Sequence, residues 1–188
     1  MGTILAAIKD EEILSLLLQK GATAFERGFR LLIEKYQERL YWHIRRLVLD
    51  HEDANDVVQN CFIKAYRGIE GFEGKSSLYT WLYRIATNEA LTFLNKQKKR
   101  NAEALDSGNG FDLTADPYFD GDDLQLKLQQ ALQQLPEKQR LVFNMRYFDE
   151  MPYGDISAVL DTSVGALKAS YHHAAKKIEA FIRESGAY

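Results

Sequence analysis

The stretch FEGKSSLYTWLYRIATNEALTFLN, Phe72 to Asn95, is the one around which the rest of the chain is organised. It opens with a short loop holding Gly74, Lys75, Ser76 and Ser77, then continues as a helix that carries aromatic, basic and amide side chains together. With successive helical residues turned by about 100°, Leu78, Leu82, Ile85, Ala86 and Phe93 fall on one side. Thr80, Arg84, Thr87, Asn88 and Leu91 fall on the other. The first group requires a core. The second is mostly short, polar and positively charged, and sits beside a loop with Lys75. Such a surface suits unpaired bases and their phosphates: ring faces to stack on, an amide to read a base edge, cations for the backbone. Trp81 and Tyr83 lie at the two borders of the apolar side, where an aromatic is half buried. The same pattern also describes an amphipathic core helix with an ordinary solvated face. Glu89 falls near the centre of the apolar side, where a carboxylate requires a partner.

The chain has 188 residues, enough for one large or two small domains, and its 46% hydrophobic and 27% charged residues are those of a soluble globular protein. Three prolines and no alternating strand-like runs make it all-α. No apolar run approaches the ~20 residues of a membrane span, so no membrane insertion is expected. The N-terminus, MGTILAAIKDEEILSLLLQ, lacks a basic segment and soon turns acidic, unlike a secretion signal. Cys61 is the only cysteine, which excludes an internal disulfide and fits a reducing cytoplasm. The net charge of −3 is unevenly spread: +3 over residues 1–100, −7 over 101–124 and +1 over 125–188. The acidity of one segment therefore hides two neutral to mildly basic blocks, compatible with nucleic-acid binding.

Residues 10–20 and 22–49 read as two helices divided by Gly21. The second has an apolar stripe of Phe25, Phe29, Leu32, Ile33, Tyr36, Leu40, Ile44 and Leu47 and an opposite charged face, the pattern of a structural helix. His51 to Ile69 is the next helix. Its stripe is Ala54, Val57, Val58, Cys61, Phe62, Ala65, Tyr66 and Ile69; Asp53, Asp56, Asn60, Lys64 and Arg67 lie opposite, with Gln59 nearby. The helix dipole accounts for Asp53 and Asp56 in the first turns, and a polar face docked on a partner helix accounts for them equally. Cys61 reads as a small core residue. KQKKR at 96–100 suits either a helix C-terminus or phosphate.

From 101 to 124 Gly108, Gly110, Pro117 and Gly121 interrupt any helix, and seven acids without a base predict a flexible, self-repelling linker. Leu124 to Leu135 is helical, and Pro136 ends it. A second helix runs through LPEKQRLVFNMRYF, a third spans about Tyr153 to Leu160, a tight turn covers Asp161–Ser163, and a fourth begins near Val164, capped by Ser163 or Thr162. Ile156, Val159 and Leu160 would close on Val164, Leu167, Tyr171, Ala174 and Ile178. This is the helix-turn-helix plan, whose second helix enters the major groove. The outward face of that helix reads Gly165, Lys168, Ala169, His172 and Lys176, with His173 and Lys177 at its margins. Small residues there permit close approach, and Lys and His supply phosphate or base contacts. Other helical hairpins share this pattern.

Nothing in the sequence assembles a catalytic centre, and no cofactor or metal is expected. His43, His51, His172 and His173 are not paired with Cys61 or with carboxylates at zinc-ligand spacing, and no phosphate-binding GxxxxGK[ST] loop occurs.

Over HEDANDVVQNCFIKAYRGIEGFEGKSSLYTWLYRIATNEALTFLNKQKKR, and again over LPEKQRLVFNMRYFDEMPYGDISAVLDTSVGALKASYHHAAKKI, the chain resembles the extracytoplasmic-function sigma factors, small bacterial RNA polymerase sigma subunits that keep only regions 2 and 4. The resemblance implies a region 2 domain over 1–100, a flexible acidic linker over 101–124 and a region 4 helix-turn-helix domain over 125–188. It implies a non-enzymatic promoter-specificity subunit that binds core polymerase, recognises the −10 and −35 elements and promotes melting. Asp53, Asp56, Val57, Gln59 and Asn60 align with the part of region 2 that binds the β′ coiled coil. Phe72, Lys75, Ser76, Ser77, Trp81, Tyr83, Arg84, Thr87 and Asn88 align with the part that melts and reads the −10 element, where a non-template base is flipped out of the stack. Lys168, Ala169, His172, His173 and Lys176 align with the region 4 face that reads duplex DNA at −35. The helices around Leu141, Val142 and Met145 would lie near the β flap, and the linker would follow the RNA exit path with its charge imitating RNA. An anti-sigma protein is a further expected partner. Many members have arginines on the recognition helix where this chain has Lys168 and two histidines. That departure makes pH-dependent promoter binding an expectation. Two other functions fit the residues alone. A self-sufficient helix-turn-helix regulator would bind specific duplex tightly without polymerase, and a helical protein-binding adaptor would not contact DNA.

Overall fold

Eight α-helices and one 3-10 turn make up the regular structure among the described residues, 8–19, 21–103 and 123–186, of the computed structural model; they contain no strand. The chain divides into two units, Met1–Glu103 and Ala104–Tyr188. The acidic segment falls outside the described residues over 104–122, and helix continues past Arg100 to Glu103 before it.

The first unit holds α1 (Asp10–Leu18), α2 (Ala22–Val48), α3 (His51–Gly68), the 3-10 turn Ile69–Gly71 and α4 (Leu78–Glu103). The long helix α2 packs against α1, α3 and α4, and α3 packs against α4. Leu32, Leu40, Ile44, Ala54, Cys61, Ala65, Ile69, Leu82, Ala86 and Ala90 form its fully buried centre. Burial pushes the Cys61 thiol up to about 12, and nearby Glu89 adds to the effect; the thiol is a core group, as its place in the stripe indicates.

α1 crosses α2 at Gly28. A Cβ there would lie 2.9 Å from Leu16 Cβ and 3.0 Å from the Leu17 backbone nitrogen, so hydrogen is the largest substituent the crossing admits. Gly28→Ala is expected to destabilise this unit by about 1–3 kcal/mol, the usual cost of overpacking, read as a lower denaturant midpoint. The N-terminal end of α1 is tied to α2 by Asp10, whose carboxylate accepts from Lys35 Nζ at 2.7 Å and from the Tyr36 hydroxyl at 2.7 Å. Burial, then the bond to Asp10, raises the Tyr36 phenol well above its ordinary pKa. α2 ends where Leu49 takes a positive φ of 69° and returns its N–H to the Arg45 carbonyl. Asp50 then caps α3, accepting from Asp53 N–H at 2.9 Å.

The apolar stripe expected of α2 is corrected at its N-terminal end. Phe25, Phe29 and Ile33 are only half buried, whereas His43 and Arg45 are buried. The phenylalanines reach past the core to Tyr66 of α3, edge-on at 5.1 and 5.0 Å between ring centres.

The second unit holds α5 (Asp123–Gln133), α6 (Glu137–Tyr147), α7 (Tyr153–Leu160) and α8 (Val164–Glu184). Helix α8 packs on the other three. Ala131, Leu132, Leu135, Phe143, Ala174 and Ile178 form one buried cluster, and Met145, Ile156 and Leu167 are fully enclosed. Asp161 closes α7 in the left-handed region (φ 49°), and Ser163 caps α8 through Ala166 N–H at 3.4 Å. Val164, expected in the contact between these helices, is instead 38% exposed at the first position of α8. Leu141, Val142 and Met145, expected near a polymerase surface, are all core residues. No helix among the described residues is long and apolar enough to cross a membrane.

Candidate functional site

The loop before α4 is shaped by two local devices. Gly74 takes φ +69°, which favours glycine. Ser77 caps the helix, its Oγ accepting from Thr80 N–H at 3.0 Å and lying 2.8 Å from Thr80 Oγ1. The Ser77 hydroxyl is thus already engaged, while the residue itself is exposed. Ser76 is half buried; Lys75 is exposed and paired with Glu73. At the loop's root Phe72 and Trp81, both half buried, pack ring against ring at 5.4 Å.

On α4 itself Arg84 and Asn88 are exposed one turn apart on the same face. Three other residues, Thr80 and Thr87 expected on that face and Tyr83 expected half buried at its border, are buried. Tyr83 and Thr87 are each 1% exposed, and Thr80 is 3% exposed. Thr87 Oγ1 bonds to His43 Nε2 of α2 at 3.0 Å, and the Tyr83 ring packs on His43 at 4.9 Å and on Tyr79 at 4.4 Å. The cause is that α4 is flanked by α2 as well as α3, so its buried arc is wider than its apolar residues suggest. Threonine enters that arc because its hydroxyl has a partner there. Tyr83 and Thr87 therefore support the exposed Arg84–Asn88 face from beneath. Glu89 finds its partner in Lys64 of α3, an ion pair at the edge of the α3–α4 contact.

On α3, Asp56, Gln59 and Asn60 are exposed and Asp53 half buried, while Val57 is 2% exposed and belongs to the core. The wheel that puts Val57 in the apolar stripe excludes it from the exposed polar face. Desolvation, then the neighbouring Asp50 and Asp56 carboxylates, raises the Asp53 pKa. The start of α3 is thus a crowded acidic surface. Beyond Gln59 the same side turns apolar: Ile63 is 42% and Tyr66 51% exposed. With Phe29, Ile33 and Phe62 they line an open groove of about 560 Å³ between α2 and α3. The sequence pattern assigned Tyr66, Phe29 and Ile33 to the core; only the gap between the two helices makes them a surface.

On α8, Gly165, Lys168, Ala169, His172, His173, Lys176 and Lys177 are all exposed. The His172 and His173 ring centres are 6.0 Å apart. Lys168 Nζ lies 5.9 Å from the Tyr153 ring centre and the Arg146 guanidinium 5.3 Å from it, so α6, α7 and α8 gather two cations around one aromatic. Arg146 and Tyr153 were not singled out from the sequence, since nothing in their spacing brings α6 and α7 to this face.

The comparisons with known proteins agree with this division. Residues 32–100 match the family Sigma-70 region 2, and residues 125–178 match Sigma-70, region 4. The chain is 33% identical over 181 residues to the RNA polymerase sigma-H factor of Pseudomonas aeruginosa, covering 87% of this chain and 90% of that protein. It is 32% identical over 180 residues to the ECF RNA polymerase sigma-E factor of Escherichia coli, covering 90% and 92%. Among solved structures, the sigma factor RpoE in complex with the anti-sigma factor NepR from Bartonella quintana superposes with a TM-score of 0.67 at 25% identity, covering 84% of this chain and 98% of that one. CnrH, solved in complex with the cytosolic domain of CnrY, shares the fold with a TM-score of 0.69 at 20% identity, covering 93% and 97%. With both sigma regions present in order and its relatives matched over nearly their whole length, the chain belongs to the extracytoplasmic-function family of RNA polymerase sigma factors.

Proposed function

We propose that this non-enzymatic sigma factor divides promoter recognition among three faces. The α4 face, with Phe72, Lys75, Ser76, Ser77, Trp81, Arg84 and Asn88, takes the melted −10 strand. Asn88 reads a base edge, Arg84 and Lys75 neutralise phosphate, and the aromatic pair at the loop root stacks a base. The observation that carries this is the exposed Arg84–Asn88 pair on a helix locked from below by the His43–Thr87 bond and the buried Tyr83. A reading group is useful when its backbone does not move. Asp53, Asp56, Gln59 and Asn60, continued by the groove at Ile63 and Tyr66, dock the β′ coiled coil. Lys168, Ala169, His172, His173 and Lys176 face the −35 duplex, with Arg146 beside them. Leu141, Val142 and Met145 are unable to meet the β flap from the core, so that contact falls to exposed residues such as Tyr147. The domain limits are 1–100 and 125–188, and the site of action is the cytoplasm. A separate anti-sigma protein holds the factor inactive, by analogy with RpoE, which was solved with one.

The test uses a promoter selected by holoenzyme from random duplexes. Thymines in its −10 region are expected to become permanganate-reactive with core and this protein together, and with neither alone. Tight binding of the same duplex by the protein without core would favour the self-sufficient regulator instead. At the −35 face, Lys168→Ala is expected to weaken duplex binding and to lower the slope of log affinity against log salt by about one unit. An unaltered slope and affinity would remove Lys168 from the interface.

A further inference from the structure

The N-terminal half of α2 is covered by α1: Gly28, Leu32 and Tyr36 are buried there. The covering helix starts at Asp10, which holds Lys35 and Tyr36. Beyond that point the same stripe of α2 continues at three- and four-residue spacing as Arg39, Trp42 and Arg46. Arg39 is exposed and lies over Tyr79 of α4, with 5.2 Å from guanidinium carbon to ring centre. Trp42 is 40% exposed and packs edge-on against Tyr41 at 5.1 Å. An indole this open, set between two arginines, is a large apolar surface without an evident structural purpose.

The stripe is continuous with the α4 face. Tyr36 approaches Tyr79 at 6.4 Å, and His43 meets Tyr83 and Thr87, so α2 and α4 run side by side in the same direction. Arg39 and Trp42 therefore lie alongside the segment of α4 that presents Arg84 and Asn88. Arg39 and Arg46 are about 10 Å apart along the helix, the length of about three stacked nucleotides at about 3.4 Å each.

We infer that α2 carries a second part of the single-strand track: Trp42 stacks an unpaired base, and Arg39 and Arg46 hold the phosphates on either side. This rests on the reading of α4 as the face that takes melted DNA. Single-stranded DNA is the occupant because an exposed indole needs an exposed ring face, which a duplex keeps within its stack, and because two guanidiniums suit a phosphodiester. Such stacking tolerates any base, so this part of the track contributes affinity and leaves base choice to Asn88.

The probe is fluorescein-labelled dT20 bound to the full-length protein. Arg39→Ala and Trp42→Ala are each expected to weaken binding by about tenfold, within the range for loss of one stacked base or phosphate contact. Trp42 and Trp81 are the only tryptophans. In a Trp81→Phe background, dT20 is therefore expected to quench the emission of Trp42, a response that a merely structural indole does not give. Absence of dT20 binding, unchanged affinity in both α2 variants, or an unquenched Trp42 in the bound protein overturns the inference. Arg84→Ala separates the two readings. If it weakens dT20 binding while the α2 variants do not, the α4 face stands and the α2 track falls. If only the α2 variants weaken binding, the α4 reading falls. Quenching of Trp42 by core polymerase but not by dT20 would assign the stripe to a protein and also overturn the inference.

Discussion

Asp56→Arg is expected to lower affinity for core polymerase about a hundredfold while leaving thermal unfolding nearly unchanged. Asp56 is exposed in the second turn of α3, and among the described residues its side chain caps nothing in the way that Asp50 caps the helix through Asp53 N–H. Its loss therefore costs the folded state little beyond the interaction with the helix dipole, about 0.3–1 kcal/mol. The interface suffers more. Asp50, Glu52, Asp53 and Asp56 crowd the start of α3, and Asp53 already shows the strain in its raised pKa, caused first by desolvation and then by Asp50 and Asp56. A carboxylate whose folded pKa is raised costs stability when ionised, and that cost disappears as pH falls through the raised value. A cationic partner offsets the same cost at neutral pH. Placing an arginine in this cluster sets like charges against that partner, a penalty of several kcal/mol in an interface, and about 1.4 kcal/mol is a tenfold change in affinity. Anisotropy titration of labelled protein with core polymerase measures it. Normal affinity would take this face of α3 out of the interface.

Asn88→Ala is expected to reduce open-complex formation about tenfold, with core affinity and fold unaffected. A bidentate amide–base pair contributes about 1–3 kcal/mol of discrimination, and Asn88 is the exposed amide on the α4 face beside Arg84. The side chain packs into nothing that α4 needs. Thr87, its sequence neighbour, is the opposite case. Replacing it would strip the buried His43 of a hydrogen-bond partner, and the damage would appear as lost stability. Permanganate footprinting of holoenzyme on the selected promoter checks the first outcome, and unchanged reactivity of the −10 thymines would count against a base pocket on α4.

The boundaries of most described helices, though not the end of α4 at Glu103, the turn at Asp161–Ser163 and the exposed face of α8 follow closely from residue patterning. They depend on local chemistry: the period of apolar residues, Pro136 between α5 and α6, and serine at a helix start. Helix α8 is readable because it has one buried stripe, Leu167, Ala174 and Ile178, with Lys168, His172 and Lys176 opposite in solvent.

What sequence by itself determined, then, is an all-α chain with two sigma regions, the order of its helices and the stretch that presents Arg84 and Asn88. What only the tertiary structure decided is how wide each buried arc is. A helical wheel gives the direction of the core but not the number of neighbours. α4 has two, so Tyr83 and Thr87 are buried rather than set on the exposed face. Glu89 met its cation only because Lys64 of α3 passes beside it, 25 residues away in the chain. Along α2, Phe29 and Ile33 line a groove where the helices part, and Trp42 stands open beyond the end of α1. These outcomes depend on where one helix stops covering another, and long-range packing sets that point, not the residues of either helix alone.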